Sequence, residues 1–396
     1  MRITQSLEQS QFLAAIGTLE NNINTTQNQM SSGLQFTTAS QDPTAAGSVN
    51  NYQQALAQSE QYGTNASSAQ TNLNTESNAL TQMQSQLQSL RDLALEANSG
   101  TLSNTDRSAI AAQAAQIQNS LLSLANTQNG NGEYIFSGFA SQTQPFTLTA
   151  TGATYNGDQG QRQIQIAAGQ TVADGDSGDA VFNQIKTGNG TFTVTANSGN
   201  SGSGIIGATT VSNPAAYDGG TYSINFTAPG TYQVTEGATV VTTGTYTDGG
   251  TIAFNGLQVT LSGTPAAGDS FSVAPSTNQS LFTTVQNLVT ALQTGVSTPA
   301  SSTSLNNSIN ASINNIDQAL TQSQNIQADV GGRLNAITTQ QSVAQSQQTQ
   351  LQTSISNLQN LDFASAITTL DQQNTTLSAA LQAFTLTQGL SLFKYL

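Results

Sequence analysis

Apolar residues along this chain follow two different periods, and the switches between them divide it. From the start to about residue 140 they recur every three or four positions, as on one face of a helix. From about 145 to 276 they alternate with polar residues in the manner of strands, and from about 279 helical spacing returns. The strongest helical stretch reads Tyr52, Ala55, Ser59, Tyr62, Ala66, Ala69, Leu73, Glu76, Leu80, Met83, Leu87, Leu90, Ala94 and Ala97, apolar or aromatic except at Ser59 and Glu76. That period of about 3.5 residues predicts a coiled-coil seam roughly 70 Å long. Ser99-Gly100 supplies a stop, and Ser103 with Asp106 supplies N-cap chemistry for another helix burying Ile110, Ala114, Ile117, Leu121 and Leu124.

The second helical region answers the first. Ile309, Ile313, Ile316, Leu320, Val330, Leu334, Ile337, Ala344, Leu351, Ile355 and Leu358 share one 3-4 alternation, with Ser323, Gln327, Gln341 and Gln348 at its remaining positions. Gly331-Gly332 inside this run costs about 1 kcal/mol per glycine relative to alanine. A rod tolerates that cost if a neighbouring backbone packs close there.

Both ends are amphipathic. Ile3, Leu7, Phe12, Ile16, Leu19, Ile23 and Met30 stripe the first thirty residues; Phe363, Ile367, Leu370, Leu377, Leu381 and Phe384, then Leu390 and Phe393, stripe the last. Nothing lies beyond them to cover these faces, which predicts ends that are poorly ordered alone and fold against a partner. They are the candidate assembly residues.

The middle reads as antiparallel β, from runs such as Thr191–Thr195, Tyr222–Phe226 and Thr231–Val234, with turns at Pro229-Gly230, Asp248-Gly249-Gly250 and Asn255-Gly256. Asn197–Gly204 reads as a mobile loop without a core residue. The expected fold is mainly α with an inserted β domain, its terminal helices paired in a long bundle. Three parts follow: residues 1–40 with 360–396 as a terminal coiled coil, 41–144 with 278–359 as a helical-bundle rod, and 145–277 as an outer β domain.

Composition narrows the function. Only 7% of the 396 residues are charged, and the net charge is −14. Seven basic residues cannot form the clustered patch that nucleic acid or an anionic membrane requires. The chain has no His and no Cys, which removes imidazole and thiolate metal sites and Ser-His-Asp or Cys-His catalysis. Cofactor, metal and enzyme readings therefore lack candidate residues. No apolar run of about 18 residues predicts a membrane span, and the N-terminus lacks the features of a cleaved signal peptide.

Residues that imitate chemical motifs have plainer readings. Asp174-Gly175-Asp176-Ser177-Gly178-Asp179 resembles the start of a calcium loop but lacks the Gly and Glu an EF-hand needs, so it reads as a polar turn. Gly130-Asn131-Gly132 and Asp248-Gly249-Gly250 lack the Lys and context of a phosphate loop and also read as turns. Glu76 and Arg333, rare charges near the seams, either pair with each other to fix register or lie at the rim.

Met30-Ser31-Ser32-Gly33-Leu34, then Gln41-Asp42-Pro43 and Ala45-Ala46, resemble the N-terminal motif of the flagellin superfamily, with Gln41 in place of an acid. Asp362-Phe363-Ala364, Ala366 and Leu370 resemble its C-terminal helix motif. Gly132-Glu133-Tyr134-Ile135-Phe136-Ser137-Gly138 is similar to the signature of the hook-associated protein 3 family. Leu390–Leu396 also resembles that family's ending, with Lys394 where an acidic residue is common, and Gly268–Val273 fits it. The motif residues carried over are Ser32, Gly33, Asp42, Pro43, Glu133, Tyr134, Phe136 and Gly138. The resemblance implies a layered subunit of the bacterial flagellum at the junction of hook and filament. It implies export unfolded through the flagellar type III apparatus without a cleaved signal peptide, and a chaperone on the C-terminal region. It further implies a self-associated ring contacting the other junction protein and flagellin. A minor flagellin filament subunit and a secreted, stalk-displayed adhesin are the alternatives.

Overall fold

The computed structural model describes residues 2–389; Leu390 and Phe393, with the rest of the Leu390–Leu396 ending, lie outside the described residues. The described residues hold six α-helices: α1 (Arg2–Ser32), α2 (Pro43–Ala97), α3 (Asn104–Ala125), α4 (Leu281–Gln293), α5 (Pro299–Gln359) and α6 (Phe363–Gly389). Contacts divide it into two compact units, Met1–Thr64 with Gln340–Leu396, and Asn65–Thr339. Helices α2 and α5 supply segments to both.

In the larger unit the predicted seam is the core. Ala66, Ala69, Leu73, Leu80, Met83, Leu87, Leu90, Ala94 and Ala97 of α2 are buried, as are Ile309, Ile313, Ile316, Val330 and Ile337 of α5. Polar seam positions bond instead of clashing. Gln84 Nε2 donates to Ser323 Oγ (3.1 Å) and Gln327 Oε1 (2.7 Å), and Asn98 Nδ2 donates to Asn310 Oδ1 (3.0 Å). The Arg91–Asp317 ion pair closes at 2.7 Å. Such pairs fix register, because a slip of one turn strands buried donors and acceptors.

Helix α3 starts as its sequence predicts. Ser103 and Asp106 form a reciprocal capping box. Its buried face lies slightly off the predicted one. Ile110, Ala114 and Leu121 are buried as expected, but Ala111, Gln118 and Ala125 join them while Ile117 and Leu124 are only half-buried. The face turns toward α4, whose Phe282 backbone carbonyl accepts from Gln118 Nε2 at 3.3 Å.

Three expectations need correction. No neighbouring backbone approaches Gly331 or Gly332, where an added Cβ would meet nothing within 4 Å. Arg333 and Glu76 do not hydrogen-bond to each other, nor does Glu76 lie at a rim. Arg333 makes a bidentate pair with Asp176 (2.9 and 3.0 Å), while Glu76 is 1% exposed with neither carboxyl oxygen hydrogen-bonded. Asn197–Gly204 is tied down. Asp269 accepts from Ser201 N (2.8 Å) and Gly202 N (3.0 Å), while Asn200 and Ser270 exchange two bonds.

Strands occupy the middle of the chain. The hairpins β1 (Phe146–Thr149) with β2 (Gly152–Tyr155) and β3 (Gln163–Ala167) with β4 (Gln170–Ala173) lie before a π-helical turn at Asp179–Asn183. With β5 (Ile185–Lys186), this segment sends Phe146, Ile166, Val172, Val181, Phe182 and Ile185 into the helical core. A second core follows, shared by two antiparallel sheets. One has five strands: β6 (Phe192–Ala196), β8 (Tyr222–Ala228), β9 (Thr231–Glu236), β10 (Thr239–Thr245) and β13 (Ser270–Pro275), in spatial order β10-β9-β8-β13-β6. The other has β7 (Ile205–Val211), β11 (Thr251–Phe254) and β12 (Leu257–Ser262), ordered β11-β12-β7. Alternation sends Tyr222, Ile224 and Phe226 of one sheet and Leu257, Val259 and Leu261 of the other inward. The predicted turns carry the required backbone: Asn255 and Gly256 both have positive φ (40° and 77°), as an Asn-Gly hairpin needs. Among the described residues no helix is long and apolar enough to cross a membrane.

Candidate functional site

The smaller unit holds the predicted assembly stripes. Helices α1 and α6 run antiparallel: the Phe12 and Phe384 rings stack at 5.5 Å, and Thr26 Oγ1 donates to Gln373 Oε1 at 3.1 Å. Ile16 and Ile23 are buried in this seam with Thr26 and Ala366. Leu19, Met30, Leu370, Leu377 and Phe384 are half-buried along it. The remaining predicted residues face out. Leu7, Phe363, Ile367 and Leu381 are exposed, joined by Leu13 and Leu386, which sequence reasoning left off the stripe. The Ile3 side chain lies outside the described part of the structure.

The superfamily motifs make the turns at the base of this pair. Gly33 ends α1 in the left-handed conformation (φ 70°), and its N–H donates to the Gln29 carbonyl at 2.8 Å. Ser32 Oγ donates to that same carbonyl and accepts from Leu34 N at 3.3 Å. The exit strand then pairs with the α5–α6 link: Gln35 N donates to Gln359 O (2.8 Å) and Leu361 N to Gly33 O (2.9 Å). Asp42 caps α2, its Oδ1 accepting from Ala45 N at 2.9 Å, with Pro43 at the first helical position. Asp362 does the same for α6, accepting from Ala364 N at 3.0 Å. Gln41, where the motif has an acid, is a neutral acceptor, its Oε1 receiving Thr37 N at 2.7 Å.

In the larger unit, Glu133–Gly138 forms a brace. Glu133 Oε2 accepts from Asn129 Nδ2 (3.1 Å) and lies 3.9 Å from the Arg162 guanidinium. Tyr134 is half-buried, its N–H donating to Ser141 O at 2.8 Å. Phe136 is fully buried, edge-on to Phe182 at 5.3 Å, and its carbonyl accepts from Gly178 N (2.7 Å) and the Tyr155 hydroxyl (3.0 Å). Burial, then the nearby Asp158 and Asp179 charges, push the Tyr155 phenol up to about 12, so it remains a donor. Gly138 has φ 71°, and a Cβ there would fall 2.2 Å from Asp158 Oδ1, so no other residue fits. Asp158 uses that space to accept from Phe139 N (2.9 Å) and Gly160 N (2.7 Å).

Sequence reasoning missed the polar hub beside this brace. Asp174 Oδ2 accepts from Asn72 Nδ2 (3.2 Å) and Arg162 Nε (2.8 Å), while Asp176 accepts from Arg333 and from Gln161 Nε2 (2.7 Å). The Asp174–Asp179 turn is thus bound to arginines. Asn72 and Arg333 lie far away in sequence, and nothing in the spacing marks Arg162, twelve residues before Asp174, as a partner. Among the described residues no group of three or more acidic side chains is placed to hold a metal.

These features have counterparts in known proteins. Residues 3–141 match the bacterial flagellin N-terminal helical region, and residues 195–275 match the D2-like domain of flagellar hook-associated protein 1. Flagellar hook-associated protein 3 of Salmonella typhimurium is 35% identical over 157 residues, covering 40% of this chain and 49% of that protein. The matching part thus spans about half the length of the curated relatives. Solved structures extend the likeness. The crystal structure of Xanthomonas campestris FlgL superposes with a TM-score of 0.69 at 34% identity, over 73% of this chain and 99% of that one. The flagellar junction protein FlgL from Legionella pneumophila gives a TM-score of 0.72 at 30% identity, over 79% and 100%. Likeness at that identity over the full length of solved relatives, with the flagellin-type helical region at its start, means that this chain belongs to the flagellar hook-associated protein 3 family of the flagellin superfamily.

Proposed function

We propose that the chain is a structural, non-enzymatic subunit of the junction between hook and filament in a bacterial flagellum. The observation that carries this reading is the α1–α6 pair: one face of each helix is closed within the chain, and a second apolar stripe is left exposed. Closing Ile16 and Ile23 inside makes a stable unit, and the outward Leu7, Leu13, Phe363, Ile367, Leu381 and Leu386 are a ready surface for neighbouring subunits. On this reading residues 1–40 with 360–396 are the assembly part and 41–144 with 278–359 the rod, while 145–277 carries the strands, its first segment packed into the helical core. Self-association into a ring, contact with the other junction protein and with flagellin, and export with a chaperone complete the proposal. The protein then acts outside the cell.

Immunogold labelling of intact flagella tests the reading. Label confined to the hook–filament boundary is expected; label along the whole filament would reassign the chain to a filament subunit.

A further inference from the structure

Glu76 is the least comfortable side chain in the larger unit. It stands on the core face of α2, 1% exposed, and neither carboxyl oxygen has a hydrogen-bond partner. An ionised carboxylate in that position would be a buried charge with no closed hydrogen bond, helped only by Arg333 and the Asp176 backbone N–H, a costly arrangement in a protein. Its neighbours add to the conflict. The turn after β4 brings Gly175 to within 3.8 Å of Glu76 Oε2, as measured from a Cβ placed there. The Asp176 carboxylate approaches without closing a bond, and its charge repels that of Glu76. From α5, Arg333 is the one cation facing Glu76, but both of its terminal nitrogens are already committed to Asp176. Asp329 adds negative charge near Arg333, while Arg162 pairs with Asp174 at 2.7 Å and lies 3.9 Å from Glu133.

We propose that Glu76 is the proton-operated part of a latch joining α2, α5 and the Asp174–Asp179 turn. As a neutral acid it leaves the Arg333–Asp176 pair intact. Once ionised it competes with Asp176 for Arg333 and loosens the turn. That turn donates Gly178 N to the Phe136 carbonyl, so the loosening reaches the Glu133–Gly138 brace. Burial first, then the Asp176 charge, hold the Glu76 carboxyl well above its ordinary value of 4.5, with Arg333 only partly offsetting them. A folded-state value above the unfolded one fixes the sign: the latch contributes fully below pH 4.5 and weakens as pH rises through the folded value. A cavity of about 20 Å³ lined by Asn72, Glu133, Arg162, Asp174 and Asp176 has room for about one water beside the turn.

The composition makes the test unusually clean. With no His and no Cys, no other side chain of ordinary pKa titrates between about pH 5 and about pH 9. Denaturant unfolding of the full chain across that range, with Glu76→Gln alongside, reads the latch. The expected result is an unfolding constant for the natural chain that rises by up to about tenfold per pH unit, the limit for one proton. Glu76→Gln should flatten the curve. Asp176→Asn should flatten it too, because Arg333 then becomes free to pair with an ionised Glu76. Hydrogen exchange of residues 174–179, corrected for intrinsic base catalysis, should accelerate with pH in the natural chain and not in Glu76→Gln. If a variant fails to fold, infrared spectroscopy of the natural chain decides: a protonated carboxylic acid band persisting near neutral pH is expected. Absence of that band, or a Glu76→Gln chain that retains the full slope, would overturn the proposal.

Discussion

Replacing Ile367 and Leu381 together with Gln separates assembly from folding. Both sit on α6 outside the seam with α1 and keep 47% and 46% of their surface exposed. Complete burial of such a side chain stabilises by about 1.5–3 kcal/mol, so covering the remaining half contributes about 1 kcal/mol each. The double change should weaken each subunit contact by about 2 kcal/mol, roughly 30-fold in an association constant. The isolated chain should hardly notice. Gln is at least as good a helix former as Ile, and surface changes of this kind move stability by less than about 0.5 kcal/mol. Ile23→Ala is the contrasting control: it opens the α1–α6 seam and should cost about 2–4 kcal/mol. Urea unfolding of the isolated chain measures its stability, and incorporation into flagella, scored by labelling and swimming, measures the subunit contact. An Ile367→Gln, Leu381→Gln chain that assembles and supports swimming normally would refute the assignment of this stripe. So would a chain whose monomer unfolds as readily as Ile23→Ala.

Other changes probe the rest of the molecule. Gly331→Ala and Gly332→Ala should each stabilise α5 by about 0.5–1 kcal/mol, since open space awaits the methyl group; thermal unfolding checks this. Gly138→Ala should destabilise by about 3 kcal/mol or more, combining a positive φ with a collision on Asp158, as measured by urea midpoint. Asp269→Ala should cost about 2–4 kcal/mol, because three backbone N–H groups (Ser201, Gly202 and Ala266) lose a charged acceptor; faster hydrogen exchange in Asn197–Gly204 should accompany it. The backbone donors of Phe139 and Gly160 hold the Asp158 carboxyl below its ordinary 3.8. Its contribution is therefore complete above that pH and lost as acid titrates it, and an Asp158→Asn chain should show a shallower loss of stability on acidification.

Much of this fold was legible because long helices repeat one instruction many times. The seam positions of α2 from Ala66 to Ala97 are buried one after another, and Ser103 marks a helix start by local chemistry alone, whereas Gly33, Asp42 and Pro43 enter through the resemblance. What escaped were contacts between distant segments. Nothing in the spacing of Asp174 and Asp176 names Arg162 or Arg333 as partners, and nothing in Gly331-Gly332 says whether the space beside it is filled. The terminal stripes show the same limit. Periodicity marks Ile16, Ile23, Ile367 and Leu381 alike as apolar, yet the first two close the seam and the last two do not. Only the relative rotation of α1 and α6 makes that distinction. The roles of Glu133, Phe136 and Gly138 were likewise carried by resemblance, and their physical reasons emerge only from the tertiary bonds.

The bonds across the helix seams are mostly between amides and hydroxyls: Gln84 to Gln327 and Ser323, Asn98 to Asn310, Thr26 to Gln373. Dissolved ions screen charge–charge attraction over about 8–10 Å at moderate ionic strength, but they have little hold on a short bond between uncharged groups. A helix pair aligned in this way keeps its alignment in fresh water and in brine. For a part proposed to work outside the cell, uncharged register marks leave the joint depending on salinity only through the Arg91–Asp317 pair.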